Sequence, residues 1–215
     1  MILVLLGAPG AGKGTLAKEL VEKLGCEHVS TGDLFRYNIG HATAIGQEAK
    51  GYIDRGQLVP DEITNQMVEI KLGELIDSGK SFILDGYPRN FSQVKCLEKM
   101  LERLGAELDI VLELTIEDEI IIERIESRRV CSQCGHPYSL KMLSSDHPMV
   151  CDICGGKLIQ RADDNRDTVK SRLDVYHEST AAISDYYRAK GILHCVDASK
   201  TPSEVLAAAL KIIEG

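Results

Sequence analysis

At 215 residues, with 33 acidic against 25 basic side chains and a formal net charge of −8, the chain is long enough for a proper core but lacks the basic surface that non-specific nucleic-acid binding needs. No apolar run approaches the roughly 20 residues of a membrane span, and Met1-Ile2-Leu3 opens without a basic leader or cleavage site. Seven cysteines, four of them in two Cys-x-x-Cys pairs, fit a cytoplasmic chain with a metal site better than a secreted disulfide scaffold.

Residues 2–6 form an unbroken apolar run, the pattern of a strand buried on both faces. Gly7-Ala-Pro-Gly-Ala-Gly-Lys13-Gly-Thr15 follows at once, and Leu16, Ala17, Leu20, Val21 and Leu24 then recur at helical spacing. Strand, glycine-rich loop, lysine and helix in that order make a phosphate cradle. The glycines let backbone N–H groups approach an anion, the helix start adds its positive dipole end, and Lys13 reaches the outer phosphates. Gly14 stands where the general pattern has Ser or Thr, with the hydroxyl one place later at Thr15. A glycine turn of no function is the bland alternative, and the ordered set of elements argues against it.

Residues 27–30 predict a short strand, and Ser30 or Thr31 a cap for a helix from about Leu34. Residues 34–60, with glycines at 40, 46, 51 and 56, predict short helices that form an appendage more than a core layer. A helix is expected over 61–75 with Ile63, Met67, Ile70 and Leu72 or Leu75 on its buried side. A strand over 81–85, a helix over 91–104 and a strand over 108–114 follow. A helix over 117–129 carries Ile120, Ile121, Ile125 and the pair Arg124 and Arg128 one turn apart. Helix resumes from about 164 to 187, capped by Asp163 or Asp164, with Val169, Leu173, Tyr176, Ile183 and Tyr187 buried. A last strand over 192–196 and a helix over 203–213 complete five strands alternating with helices, an α/β fold with a parallel, doubly wound sheet.

Asp85 ends an apolar strand. It is either a turn or helix cap, or the carboxylate that in P-loop enzymes holds Mg²⁺ beside the phosphates. Arg36, Arg89, Arg124, Arg128, Arg161 and Arg172 fall at the edges of the irregular segments and at the functional end of the sheet. Singly each is an ordinary surface residue; together they supply the positive charge that phosphoryl transfer needs. Between 130 and 160 the chain is poor in large apolar residues and carries Cys131-x-x-Cys134 and Cys151-x-x-Cys154, sixteen residues apart, the spacing of a four-cysteine zinc ribbon. Paired disulfides are the alternative. A closed four-thiolate shell is structural, and a segment of this size needs such support to offset its ordering entropy. Cys26, Cys96 and Cys195 lie in or beside apolar stretches and are expected to be small core residues.

These residues resemble a family, the bacterial adenylate kinases of the long form with a zinc-bearing lid. Gly7-x-Pro-Gly-x-Gly-Lys-Gly-Thr15, Ser-Thr31-Gly-Asp-Leu-x-Arg36, Gly56-x-Leu-Val-x-Asp61, Asp85-Gly-Tyr-Pro-Arg89, Arg128-Arg-Val-Cys and Gln160-Arg161-Ala-Asp-Asp-Asn carry the likeness across nearly the whole chain. Gly14-Thr15 is that family's own form of the loop. The resemblance implies a P-loop nucleoside monophosphate kinase fold and the reaction MgATP + AMP ⇌ 2 ADP, run by a monomer without nucleic-acid or membrane partners. It implies a core of residues 1–29, 60–126 and 165–215, an AMP-binding flap over 30–59 and a zinc-binding lid over 127–164.

By the same resemblance Gly10, Ala11, Gly12, Lys13, Gly14 and Thr15 hold the ATP phosphates, and Arg124, Arg128, Pro137, Tyr138 and the backbone near Lys200 face ATP. Thr31, Arg36, Gln57, Leu58, Val59, Gly86, Tyr87, Pro88, Arg89 and Gln93 hold AMP, with Gln93 at the adenine edge. Arg161 and Arg172 bridge the phosphates with Arg89, and Asp85 completes the catalytic set. Zn²⁺ on Cys131, Cys134, Cys151 and Cys154 is structural, and Mg²⁺ arrives with ATP. Ser127 and Ala198 stand where glycine is common in the family, and Tyr37 and Asn38 depart from its usual flap. Three rivals carry different expectations. A UMP, CMP or GMP kinase would share the fold and differ at the base, where Thr31 and Gln93 favour adenine by resemblance. A zinc-ribbon nucleic-acid protein would need an aromatic and basic strip that this acidic chain lacks. A GTPase-like switch would need an Asn-Lys-x-Asp type of guanine reader, which the sequence also lacks.

Overall fold

The apolar run at the start of the chain forms β1 (Ile2–Gly7), every residue of it buried. A computed structural model describes residues 1–144 and 146–215 and sets β1 at the centre of a five-stranded sheet. α1 (Lys13–Leu24) leads to β2 (Glu27–Ser30), and α2 (Thr31–Gly40), α3 (Ala44–Asp54) and α4 (Asp61–Asp77) lead to β3 (Phe82–Asp85). α5 (Phe91–Arg103) crosses to β4 (Ile110–Thr115), and α6 (Asp118–Ser127) enters a small ribbon of β5 (Arg128–Cys131), β6 (Pro137–Ser139) and β7 (Leu158–Ile159). α7 (Arg166–Val175), a π-helical turn (Tyr176–Thr180) and α8 (Ala181–Ala189) return the chain to β8 (Leu193–Asp197) and α9 (Pro202–Ile213).

The sheet order is β2-β3-β1-β4-β8, and every pairing in it is parallel. Side chains alternate across a strand, so the two faces of the sheet build two cores. Ile2, Val4, Leu6, Phe82, Leu84 and Val111 pack with α4, α5 and α8 through Val68, Leu72, Val94, Leu97, Ile183 and Tyr187. Leu3, Leu5, Ile83, Leu112 and Leu114 pack with α1 and α9 through Leu16, Leu20, Val205 and Ala209. Each such side chain, fully buried, contributes about 1.5–3 kcal/mol. The chain runs outward from β1 to β2 and β3 on one side and then to β4 and β8 on the other. The carboxyl ends of β1, β3 and β4 therefore meet at a topological switch point, where α/β sheets bind ligands.

Several expectations are corrected. Ile70 is 61% exposed; the stripe that α4 buries is Thr64, Val68, Leu72 and Leu75, while Ile63 and Met67 face a second cluster around Phe35, Ala49 and Val59. α6 ends at Ser127, so Arg128 stands in β5 and not one helical turn beyond Arg124. Asn165, whose side chain accepts the Thr168 N–H, caps α7 in place of Asp163 or Asp164. α2 begins at Thr31 under a Ser30 cap. Cys26 is buried as expected, whereas Cys96 is half-buried and Cys195 is exposed on β8, at the edge of the sheet.

Candidate active site

The turn after β1 is built on glycines at positive φ. Gly10 holds φ +87°, and a Cβ there would come within 2.8 Å of Ile125. A larger residue would push the loop off α6. The loop closes with Ala11 N–H on Ala8 O at 3.1 Å and delivers the chain to α1 with no side chain capping its first N–H groups. Such a helix start carries unpaired donors and a positive dipole end. Lys13, in its first turn, donates through Nζ to Gly7 O at 2.7 Å and Ala8 O at 2.9 Å. Burial lowers Lys13 to about 8; Asp85 opposes that shift, and Arg89, Arg172 and Arg128 add to it.

Gly10 to Thr15, Asp85, Gly86, Pro88, Arg89, Arg36, Leu58, Arg124, Arg128, Pro137, Tyr138, Arg161, Arg172 and Lys200 all line one cavity of about 760 Å³. The volume suits two small ligands or one large one. Every residue proposed from sequence as catalytic is in that wall. Arginines with depressed proton affinity crowd it. Burial, then Arg172, lowers Arg89 to about 10, and burial, then Arg36 and Arg128, lowers Arg161 to about 10. Arg172 is lowered by burial as well. Clustered, desolvated cations favour an anion among them.

Three carboxylates pair with arginines of the cavity wall. Asp164, buried, takes Arg128 Nε at 2.8 Å, Asp163 takes Arg172 at 2.9 Å, and Asp33 pairs with Arg36. Among the described residues, Lys13, Arg89 and Arg161 have no carboxylate within ion-pair distance. Asp85 is half-buried at the end of β3 with Oδ2 3.4 Å from His28 Nε2. Burial would raise it, but His28, Lys13 and Arg89 outweigh that and hold its carboxyl below the ordinary carboxylate value. An ionised carboxylate beside a lysine and the start of α1 has the chemistry to hold a hard divalent cation with phosphates.

On the far side of the cavity the Gly86 turn organises the wall. Gly86 has φ +79°, and a Cβ there would lie 2.8 Å from Thr31 Oγ1 and 2.9 Å from Arg89. Thr31 Oγ1 donates to Gly86 O at 2.8 Å, and Arg89 Nε donates to the same carbonyl at 2.8 Å. Gln93, 2% exposed, accepts from Arg89 N–H at 2.7 Å and donates through Nε2 to Asp61 at 2.8 Å. Thr31 and Gln93 thus stand immediately behind the cavity wall. Tyr87 is buried in the core, bonded to Asn65, and Val59 is buried beside Phe35. Gln57 is exposed and accepts from Arg55 Nε.

The ribbon brings its four cysteine sulfurs within 4.8 Å of one another. Cys131 and Cys154 sulfurs are 3.4 Å apart, and those of Cys134 and Cys151 are 3.6 Å apart. A disulfide would need about 2.05 Å, while four sulfurs around one tetrahedral zinc at about 2.3 Å lie about 3.8 Å from each other. The donor set fits the metal, and both close pairs stand well beyond disulfide distance. Backbone N–H groups of Cys134 and Gln133 point at Cys131, and Tyr138 Oη–H donates to Cys151 Sγ at 3.3 Å, favouring thiolate at both. The Tyr138 ring meanwhile lines the cavity.

Sequence reasoning missed several wall residues. His28 follows from strand alternation, since it shares a face with Ser30 in β2. Asp33 lies three residues before Arg36, a spacing that signals an ion pair on a helix. Behind the wall, Asp163 and Asp164 take Arg172 and Arg128 and do not cap a helix. Thr180, in the π-helical turn, gave no sequence signal at all.

A family model described as Adenylate kinase matches residues 5–192. A Clostridium tetani protein named adenylate kinase is 46% identical over 205 residues, 95% of this chain and 94% of that one. A Fervidobacterium nodosum protein of the same name is 45% identical over 215 residues, covering 100% and 98%. One from Caldanaerobacter subterraneus subsp. tengcongensis is 46% identical over 215 residues, covering 100% and 97%.

Proposed function

The chain belongs to the adenylate kinase family, and on that premise we propose how its residues divide the work of transferring a phosphoryl group from MgATP to AMP. The reaction is reversible and yields two ADP. The carrying observation is the cavity that joins the glycine-rich loop, Asp85 and the arginine cluster in one wall.

ATP lies with its phosphates on the N–H groups of residues 10–15 and on Lys13, with Arg124, Arg128, Pro137, Tyr138 and the backbone near Lys200 along its length. AMP lies against Arg36, Leu58, Gly86, Pro88 and Arg89. Thr31 spends its one hydroxyl hydrogen on Gly86 O, so toward a base its oxygen only accepts. That polarity suits the amino group of adenine over the oxo group of guanine. Arg89, Arg161 and Arg172 span donor and acceptor phosphates and follow charge onto the transferring group, the role in which one arginine is worth about 10³–10⁵ in rate. Asp85 would hold the Mg²⁺ that accompanies ATP, an ion that would neutralise charge on the phosphates.

Residues 30–59 act as the AMP flap and 127–164 as the lid; closing both excludes water that would otherwise hydrolyse ATP. Cys131, Cys134, Cys151 and Cys154 would hold a zinc ion that would tie the lid together without a part in the chemistry. No helix among the described residues is long and apolar enough to cross a membrane. The enzyme acts as a cytoplasmic monomer on ATP, AMP and ADP. Lys13→Met and Arg89→Ala test the assignment: turnover should fall by orders of magnitude with the fold kept, and near-normal rates would remove those roles.

A further inference from the structure

Arg89 is fixed at three points, and only two of them are local. Its N–H is held by Gln93 Oε1 at 2.7 Å and its Nε donates to Gly86 O at 2.8 Å, four and three residues away. The third is Thr180, whose Oγ1–H donates to the Arg89 carbonyl at 2.7 Å across 91 residues. Thr180 is 7% exposed, lines the cavity and closes the π-helical turn between α7 and α8. A π-turn inside an α-helix is rare and concentrates at functional sites. Along this helix Val169, Leu173, Ile183 and Tyr187 are buried. A hydroxyl on that apolar stripe needs a partner, and the partner it finds is the backbone of an arginine in the cavity wall. The same helical rod carries Arg172 eight residues before Thr180. One hydrogen bond therefore ties the Arg89 backbone to the element that presents Arg172.

We propose that Thr180 is a positioning residue for phosphoryl transfer, setting Arg89 against Arg172 across the transferring group. The inference rests on Arg89 holding phosphate, as assigned above. In this role Thr180 acts through Arg89. It removes a freedom of the Arg89 backbone that Gln93 and Gly86 leave open.

The test measures kcat, KM for each substrate and Tm for Thr180→Val and Thr180→Ser, in the wild-type and Arg89→Ala backgrounds. A misplacement of about 1 Å costs up to about 10²-fold in rate, so Thr180→Val should lower kcat about tenfold or more. KM for AMP should rise, and KM for MgATP should stay within about twofold. Thr180→Ser keeps the hydroxyl and should restore kcat to within about threefold. In the Arg89→Ala background Thr180→Val should change kcat little further, the non-additivity of residues that act as a unit. Unchanged kcat and KM with only a lower Tm would reduce Thr180 to a structural hydrogen bond and overturn the inference. An equal loss in both backgrounds would overturn it too, because the effect would not pass through Arg89. Should Thr180→Val not fold, Thr180→Ala is read in the same two backgrounds. If Arg89→Ala by itself costs nothing, the phosphate assignment falls along with this inference; if only the Thr180 variants are silent, that assignment stands.

Discussion

Segments 30–59 and 127–164, proposed above as flap and lid, border the same cavity and are built by different means. The flap has two helices with side-chain caps at Ser30 and Thr43 and an apolar cluster of Phe35, Ala49 and Val59, backed by Tyr52, Ile53, Ile63 and Met67. The lid buries Cys131, Cys151 and Leu158, with Tyr138, Leu143 and Met149 half-buried around them. Two of the three buried residues in its apolar cluster are thiols that converge with two others on one point. Apolar burial and backbone hydrogen bonds support the first segment, whereas the second converges on four thiols that a metal would close. An insertion can arch over a site without a core of its own, provided an ion closes it.

The largest expected effect breaks that contrast on the lid side. Cys151→Ser, or removal of the metal by a chelator, takes away a contribution on the order of 10 kcal/mol. The lid should unfold while the flap and the sheet keep their protection in hydrogen exchange, with turnover falling by orders of magnitude and one zinc lost per chain. Wild-type protein that carries no metal on elemental analysis would remove the ribbon reading. Next, Phe35→Ala opens a cavity in the flap and should cost about 3–5 kcal/mol locally. It should raise KM for AMP, leave zinc content unchanged and read in a local-unfolding assay. Arg36→Ala sharpens the comparison further: KM for AMP should rise more than KM for ATP, and an equal effect on both would contradict the flap assignment.

The smallest effect is a pH dependence common to both sides, through Lys13. Its proton affinity is lowered from 10.5 to about 8 by burial. Between those values the unfolded chain keeps a proton that the folded one has released, so this group adds stability as pH rises through that window. The same neutralisation weakens anion binding. Affinity of the free protein for ATP should therefore decline above about pH 8, and Lys13→Met should flatten that decline in a titration by calorimetry.

Motifs whose chemistry is local in sequence were legible before the structure. The loop of residues 7–15 is one, because strand, glycines, lysine and helix are contiguous. The two Cys-x-x-Cys pairs are another, because spacing alone limits what four thiols can do. Features decided by distant partners were not legible. Ile70 sits at helical spacing with Met67, yet α4 lies between two clusters and turns it to solvent. Arg128 leaves α6 because β5 pairs it with Ser139, and Asp164 is drawn from a cap to an ion pair by that same arginine. Cys195 looks like a core residue until β8 proves to be an edge strand. Thr180 is an ordinary threonine until its carbonyl partner is seen 91 residues away.

The central claim is tested most directly by ADP formation from MgATP with AMP, CMP, UMP and GMP offered separately to the zinc-bearing protein. The account predicts rapid turnover with AMP and little with the others. A preference for another monophosphate would contradict the reading of Thr31 and Gln93 while leaving the fold and the phosphate site in place. No turnover with any of the four, in protein that binds ATP, would contradict the transfer mechanism itself.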